Sequence, residues 1–161
     1  MDNFVNYLNE SLLFRNFIEV LGGLDNTLLL LVISLPIGFV LSLIFALGRV
    51  SKNKLISKTI ASYIFVIRGT PLLVQIYLIY FGLGSIKFIR DSFLWYLLEE
   101  PFWCGVLALT INTVAYGSEI FRGGIQSITK GQIESGLSLG FNKLSLLRKI
   151  ILPIALRKVL P

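Results

Sequence analysis

The chain has 161 residues, of which 55% are hydrophobic and 15% charged, with a mean hydropathy of +0.78; a soluble domain of this size is far less apolar, so the composition points to a polytopic membrane protein. The single cysteine, Cys104, excludes an internal disulfide, and the lack of histidine removes the commonest zinc ligand and general base, so metal or His-dependent catalysis is not expected. The net charge of +6 sits in connections between apolar runs rather than on one basic face with stacking aromatics, which argues against nucleic acid as a partner and for a lipid membrane.

An all-α membrane fold of one domain, residues 1–161, follows from runs that approach the roughly 20 residues a helix needs to cross a bilayer. The first predicted span covers residues 24–47, opened by Asp25 and Asn26, which suit a helix N-terminus, with Pro36 tolerated as a kink. It is not a cleaved signal peptide, because the residues before it are acidic rather than basic and the run is too long. Within it Ser34, Gly38 and Ser42 repeat every four residues, a spacing that lets helices approach closely.

The second predicted span covers residues 60–81 as one helix, and the third residues 102–120. Residues 93–98 either lie in the aromatic belt of the interface or lengthen the third span. Loop charges set the orientation. Only Arg15 opposes Asp2, Glu10, Glu19 and Asp25 ahead of the first span, whereas Arg49, Lys52, Lys54 and Lys58 follow it with no acid. The N-terminus is therefore expected outside, with the connections after the first and third spans in the cytoplasm.

The second span carries polar groups at its start, in "RGTPLLVQ", residues 68–75. Arg68 is expected to snorkel at the cytoplasmic interface, Thr70 to cap free donors, and Pro71 to lie in the first helical turn. Gln75 lies seven residues on from Arg68, on the same face of a continuous helix. It fits an interhelical hydrogen bond and a solute contact equally well. In the third span Asn112, Tyr116 and Glu119 fall at i, i+4 and i+7 and form a polar stripe. Such residues are candidates for a solute pathway, with pairing of Glu119 to Arg122 as the structural alternative.

After residue 120 the chain reads neither as a span nor as a linker. Ile133, Leu137, Phe141 and Leu144 predict one helix with a narrow apolar stripe, within a cytoplasmic loop over 121–149. Gly131, Gly136 and Gly140 mark close backbone approach or a break, so this helix needs a partner; lying on the inner leaflet is the alternative. A further span begins at residue 150 and has only 12 residues, 150–161, in this sequence.

Glu134-Ser135-Gly136, three residues, Gly140, nine residues and Ile150-x-Leu152-Pro153 resemble the Glu-Ala-Ala loop of ABC importer permeases, with both alanines replaced by other small residues. "RGTPLLVQ" and "AYGSEIFRGGIQSI", residues 115–128, are similar to the polar amino-acid branch of that family. The resemblance implies a type I permease core, incomplete at its C-terminus, in a bacterial inner membrane. It also implies coupling through Glu134, Ser135, Gly136, Gly140, Ile150, Leu152 and Pro153 to a separate cytoplasmic ATPase. An extracytoplasmic solute-binding protein and a second permease copy or paralogue are the other implied partners. The chain has no Gly-x-x-x-x-Gly-Lys-Ser/Thr phosphate loop, so ATP is expected to be used by the partner and no cofactor to be bound here. The rival readings are a shortened protein that docks an ATPase without transporting, and a small ion-coupled carrier. No nucleophile and base pair argues for an enzyme.

Overall fold

The computed structural model describes residues 2–159, so the last two residues of the expected further span lie outside it. The described residues form helices and short connections, with no strand. Helix α1, Asp2–Gly22, runs almost directly into α2, Leu24–Arg49, at a turn on Gly23. The α2 backbone continues through Pro36, and Asp25 does not cap it; Thr27 Oγ1 instead donates to the Gly23 carbonyl at 3.0 Å.

The core is the packing of α2 on α8, Pro101–Gln126. Small residues on α2 make it possible. Ser34, Ser42 and Ala46 are fully buried, as are Ala108, Ala115 and Ser118 on α8. A Cβ on Gly38 would stand 2.7 Å from Thr113 Cγ2, and one on Gly117 would overlap the Ser42 hydroxyl. Backbones this close gain dispersion contacts that lipid cannot offer, which is how small residues hold membrane helices together. Ser42 Oγ adds bonds to the Gly38 carbonyl at 2.7 Å and across the interface to Thr113 at 3.1 Å.

Only α2 and α8 are individually long and apolar enough to cross a membrane among the described residues. The expected straight helix over 60–81 is corrected: α3, Lys54–Arg68, and the following Leu72–Ser85 segment meet at 104° across Gly69-Thr70-Pro71. Steric clash with the proline ring pushes the preceding residue out of helical geometry, and Pro71 itself is extended at ψ 140°. Pro71 therefore precedes the first turn of α4, Leu72–Tyr77, instead of lying within it. Beyond α4 a π-helical turn, Leu78–Gly82, leads into α5, Leu83–Ser85.

Two short helices, α6 at Lys87–Arg90 and α7 at Phe93–Leu98, return the chain to α8. Residues 93–98 form their own helix, separated from α8 at Glu99 and Glu100, so they do not lengthen it. Past α8 come α9, Lys130–Ser138, then α10, Lys143–Leu146, a π-helical turn at Leu147–Ile151, and α11, Leu152–Val159, which packs back on α8.

Candidate functional site

The polar stripe of α8 becomes a seam of three pairs. At its first level Gln75, only 5% exposed, accepts from Asn112 Nδ2 at 3.2 Å through its side-chain oxygen. Its amide nitrogen donates to the carbonyls of Ile67 at 2.7 Å and Thr70 at 3.0 Å, and to Thr70 Oγ1 at 2.8 Å. A helix end leaves carbonyls without intrahelical partners, and this one amide shares the Ile67 carbonyl with Thr70 and adds the Thr70 carbonyl in the break, while holding the break to α8. Thr70 does not cap donors as expected; its hydroxyl donates to the Val66 and Ile67 carbonyls at the end of α3. The 104° bend also separates Gln75 from any helix face shared with Arg68.

At the second level Arg68 lies over the Tyr116 ring, 5.1 Å from its centroid, where the ring's electron-rich face attracts a cation. Arg68 is thus placed against protein while remaining exposed. At the third level Glu119 is gripped by Arg122, with Nε 3.0 Å from both carboxylate oxygens and Nη2 2.6 Å from Oε2. Arg49, from the end of α2, brings its Nε to 3.7 Å from Glu119 Oε1. That Nε is buried with no hydrogen-bond partner, while Nη1 donates to Ser57 Oγ at 3.2 Å. Arg49 and Arg68 were not among the expected pathway residues; the signal for them is that no Asp or Glu lies between Asp25 and Asp91.

Replacing Gln75 with leucine is expected to destabilise the fold by roughly 2 kcal/mol, because it removes the side-chain donor to the Thr70 carbonyl and the acceptor of the Asn112 amide. Titration of the purified protein with SDS should show unfolding at a lower detergent fraction. An unchanged midpoint would mean that the amide does not hold the break.

The segment after α8 is built by two local signals. Thr129 and Gln132 form a reciprocal capping box that starts α9, from a Thr-x-x-Gln pattern that is legible in the sequence. Gly140, at φ 76°, ends it: Gly140 N–H donates to Leu137 and Phe141 N–H to Gly136, the paired closing bonds of a Schellman turn. The single helix expected through Phe141 and Leu144 is therefore split at Gly140, since that conformation stops a right-handed helix.

Gly136 is buried, and a Cβ there would stand 2.5 Å from both Leu146 Cδ1 and Ile150 Cδ1. Close approach is thus the role of Gly136 and termination that of Gly140, whereas Gly131 has open space around it. Glu134 and Ser135 are exposed on α9, Ser135 bonded to the Gly131 carbonyl at 2.8 Å. Ile150 ends up under α9, Leu152 and Pro153 open α11, and Lys158 Nζ ties α11 to the Ser127 carbonyl at 2.9 Å.

Residues 38–161 match the family described as binding-protein-dependent transport system inner membrane component. The nopaline transport system permease protein NocM of Agrobacterium fabrum is 45% identical over 155 residues, covering 96% of this chain and 64% of that one. The arginine ABC transporter permease protein ArtM of Haemophilus influenzae is 41% identical, covering 92% and 66%. The histidine/lysine/arginine/ornithine transport system permease protein HisM of Escherichia coli K12 is 44% identical, covering 86% and 59%. A crystal structure of an amino acid ABC transporter with histidines aligns at a TM-score of 0.73 and 40% identity, over 92% of this chain and 65% of that one. The chain thus spans somewhat less than two thirds of the length of these relatives.

Proposed function

Since the chain belongs to the family of binding-protein-dependent transport system inner membrane components, we propose that it is a membrane-spanning subunit of an ATP-driven importer of polar amino acids. Relatives named for nopaline, arginine and the histidine, lysine, arginine and ornithine set make basic amino acids the first cargo to test. ATP is hydrolysed by a separate cytoplasmic subunit, a solute-binding protein delivers cargo from outside, and a second permease copy or paralogue completes the pathway. The N-terminus lies outside.

The observation that carries this reading is the segment from Glu134 to Pro153. Its motif spacing is realised as a short helix, α9, ended by a left-handed glycine and seated through Gly136 on the next helix. In our reading α9 is the docking element for the ATPase, with Glu134 and Ser135 presented outward and Ile150, Leu152 and Pro153 returning the chain to the bundle. Along the seam, Gln75, Asn112, Tyr116 and Glu119 flank the route of the solute.

Reversing the exposed charge with Glu134→Lys should cut recovery of the ATPase with the tagged permease about tenfold, while leaving permease yield unchanged. Equal recovery would remove Glu134 from the docking surface. Uptake of labelled amino acid by proteoliposomes holding the full complex, dependent on ATP, tests the transport role itself.

A further inference from the structure

The short helices between α4 and α8 have two sides of opposite chemistry. On one, a groove of about 580 Å³ runs from Trp103 at the start of α8 to Thr110, about two turns further in, walled by Ile37 and Leu41 of α2 and by Ile89, Leu94 and Leu98 of α6 and α7. Apart from the Thr110 hydroxyl and the Trp103 indole N–H, its side chains are hydrocarbon. On the other side, a groove of about 430 Å³ is lined by Ser85, Arg90, Trp95 and Glu99 beside Tyr80 and Phe81. The two share one partition: Leu83, Ile89, Leu94 and Leu98 line the apolar groove, and their chain neighbours Gly84, Arg90, Trp95 and Glu99 line the polar one. Trp95 sits close on Gly84, where a Cβ would stand 2.7 Å from Cη2, so α7 is held against α5 and the two grooves stay side by side.

Two observations say what kind of molecule suits both. The first is depth. Phe88, Phe93 and Tyr96, on the same short helices, are 85%, 91% and 81% exposed. Bare rings beside a span belong to the aromatic belt, where headgroups meet acyl chains. The polar groove then lies at headgroup level, and the apolar one reaches into the hydrocarbon. The second is charge. Among the described residues, neither Arg90 nor Glu99 makes an ion pair or a side-chain hydrogen bond. A guanidinium suits a phosphate, and a carboxylate accepts from an ammonium. A protein helix laid on the apolar groove would answer the hydrocarbon side alone, whereas a molecule with an acyl chain and a doubly charged head answers both.

We propose that these grooves hold one phospholipid with an ammonium headgroup, phosphatidylethanolamine in chemistry. One acyl chain lies between α2, α7 and α8, the phosphate rests on Arg90, and the ammonium donates to Glu99. The lipid fastens α6 and α7 to the α2–α8 pair, so the seating of these short helices depends on membrane composition. The proposal is independent of which solute the chain carries.

The test titrates the permease, purified in its complete complex, with the dioleoyl forms of phosphatidylethanolamine, phosphatidylcholine and phosphatidylglycerol, read by native mass spectrometry. Phosphatidylcholine keeps both charges but has no N–H to donate, and phosphatidylglycerol has no cation. Wild type should bind phosphatidylethanolamine about tenfold more tightly than either. Glu99→Gln should bring it down to the level of the other two. Arg90→Gln should weaken all three lipids, as should Leu94→Trp, which fills the apolar groove from a position that is 62% exposed and so tolerates a larger side chain. Lys87→Gln, on α6 but on neither wall, should change nothing. Equal binding of the three lipids by wild type would mean annular lipid only and overturn the proposal. It would also be overturned by a preference that survives both Arg90→Gln and Glu99→Gln. A changed oligomeric state in Leu94→Trp with lipid binding intact would overturn it too, and give the apolar groove to a second copy.

Discussion

Leucine at position 117 will prevent α2 from seating on α8, and the yield of folded protein in detergent will fall about tenfold or more. At Gly117 α2 comes too near for a side chain: any Cβ overlaps the Ser42 hydroxyl and stands 2.9 Å from Ser42 Cβ. Ser42 cannot give way, because it is fully buried and bonded both within α2 and to Thr113 on α8. The helices must separate, and separation costs the cross-helix bond together with the contacts of Ser34, Ala46, Ala108 and Ala115, the buried small residues around it. Overpacking alone costs about 1–3 kcal/mol and more where backbones are in contact, against the 5–15 kcal/mol that holds a typical fold together. Gly123→Leu is the control on the same helix, since nothing lies within 4 Å of a Cβ there. Size-exclusion profiles after a heating series should show the Gly117 variant aggregated and the Gly123 variant like wild type. Similar profiles for the two variants would mean that α2 and α8 do not pack at this register.

The α2 side of that interface was legible beforehand, because a four-residue repeat of Ser and Gly has a meaning that depends only on helix geometry. Glu119 with Arg122 was legible as well, being three residues apart on one helix. Arg49 was not, since 70 residues separate it from Glu119 and only the α2–α8 packing brings them together. The break at Gly69-Thr70-Pro71 shows the same limit. Its residues advertise a boundary, but run length favoured one straight span, and the 104° angle is fixed by bonds to distant residues: Gln75 to Asn112, and the Tyr63 hydroxyl to the Ile111 carbonyl at 2.7 Å. Helix α1 drew no prediction, because residues 2–22 mix polar and apolar positions without a clear stripe.

For the docking segment the glycines again decide the largest effect. Gly136→Leu should reduce ATPase recovery about tenfold or more while the detergent melting profile of the α2–α8 core stays as in wild type. The two groups that a Cβ at Gly136 would meet are the ends of Leu146 and Ile150 side chains, flexible enough to yield to one methyl group. Alanine should therefore be nearly tolerated. Leucine adds three more carbons into the same space, and α9 is only nine residues long, too short to stay helical in water on its own. Once lifted off α10 and the π-helical turn, it loses the seat that orders Glu134 and Ser135, so the docking surface goes with it. Gly140→Val tests the same segment by another route: a β-branched residue at φ 76° costs about 1–2 kcal/mol and unravels the Schellman turn, without touching Leu146 or Ile150. Gly131→Leu, in open space, should leave recovery unchanged or slightly raised, since leucine is the better helix former. An ATPase retained in full by the Gly136 and Gly140 variants would place docking elsewhere on the chain. Graded loss from alanine to leucine at 136, with none at 131, would tie coupling to the seating of this one short helix.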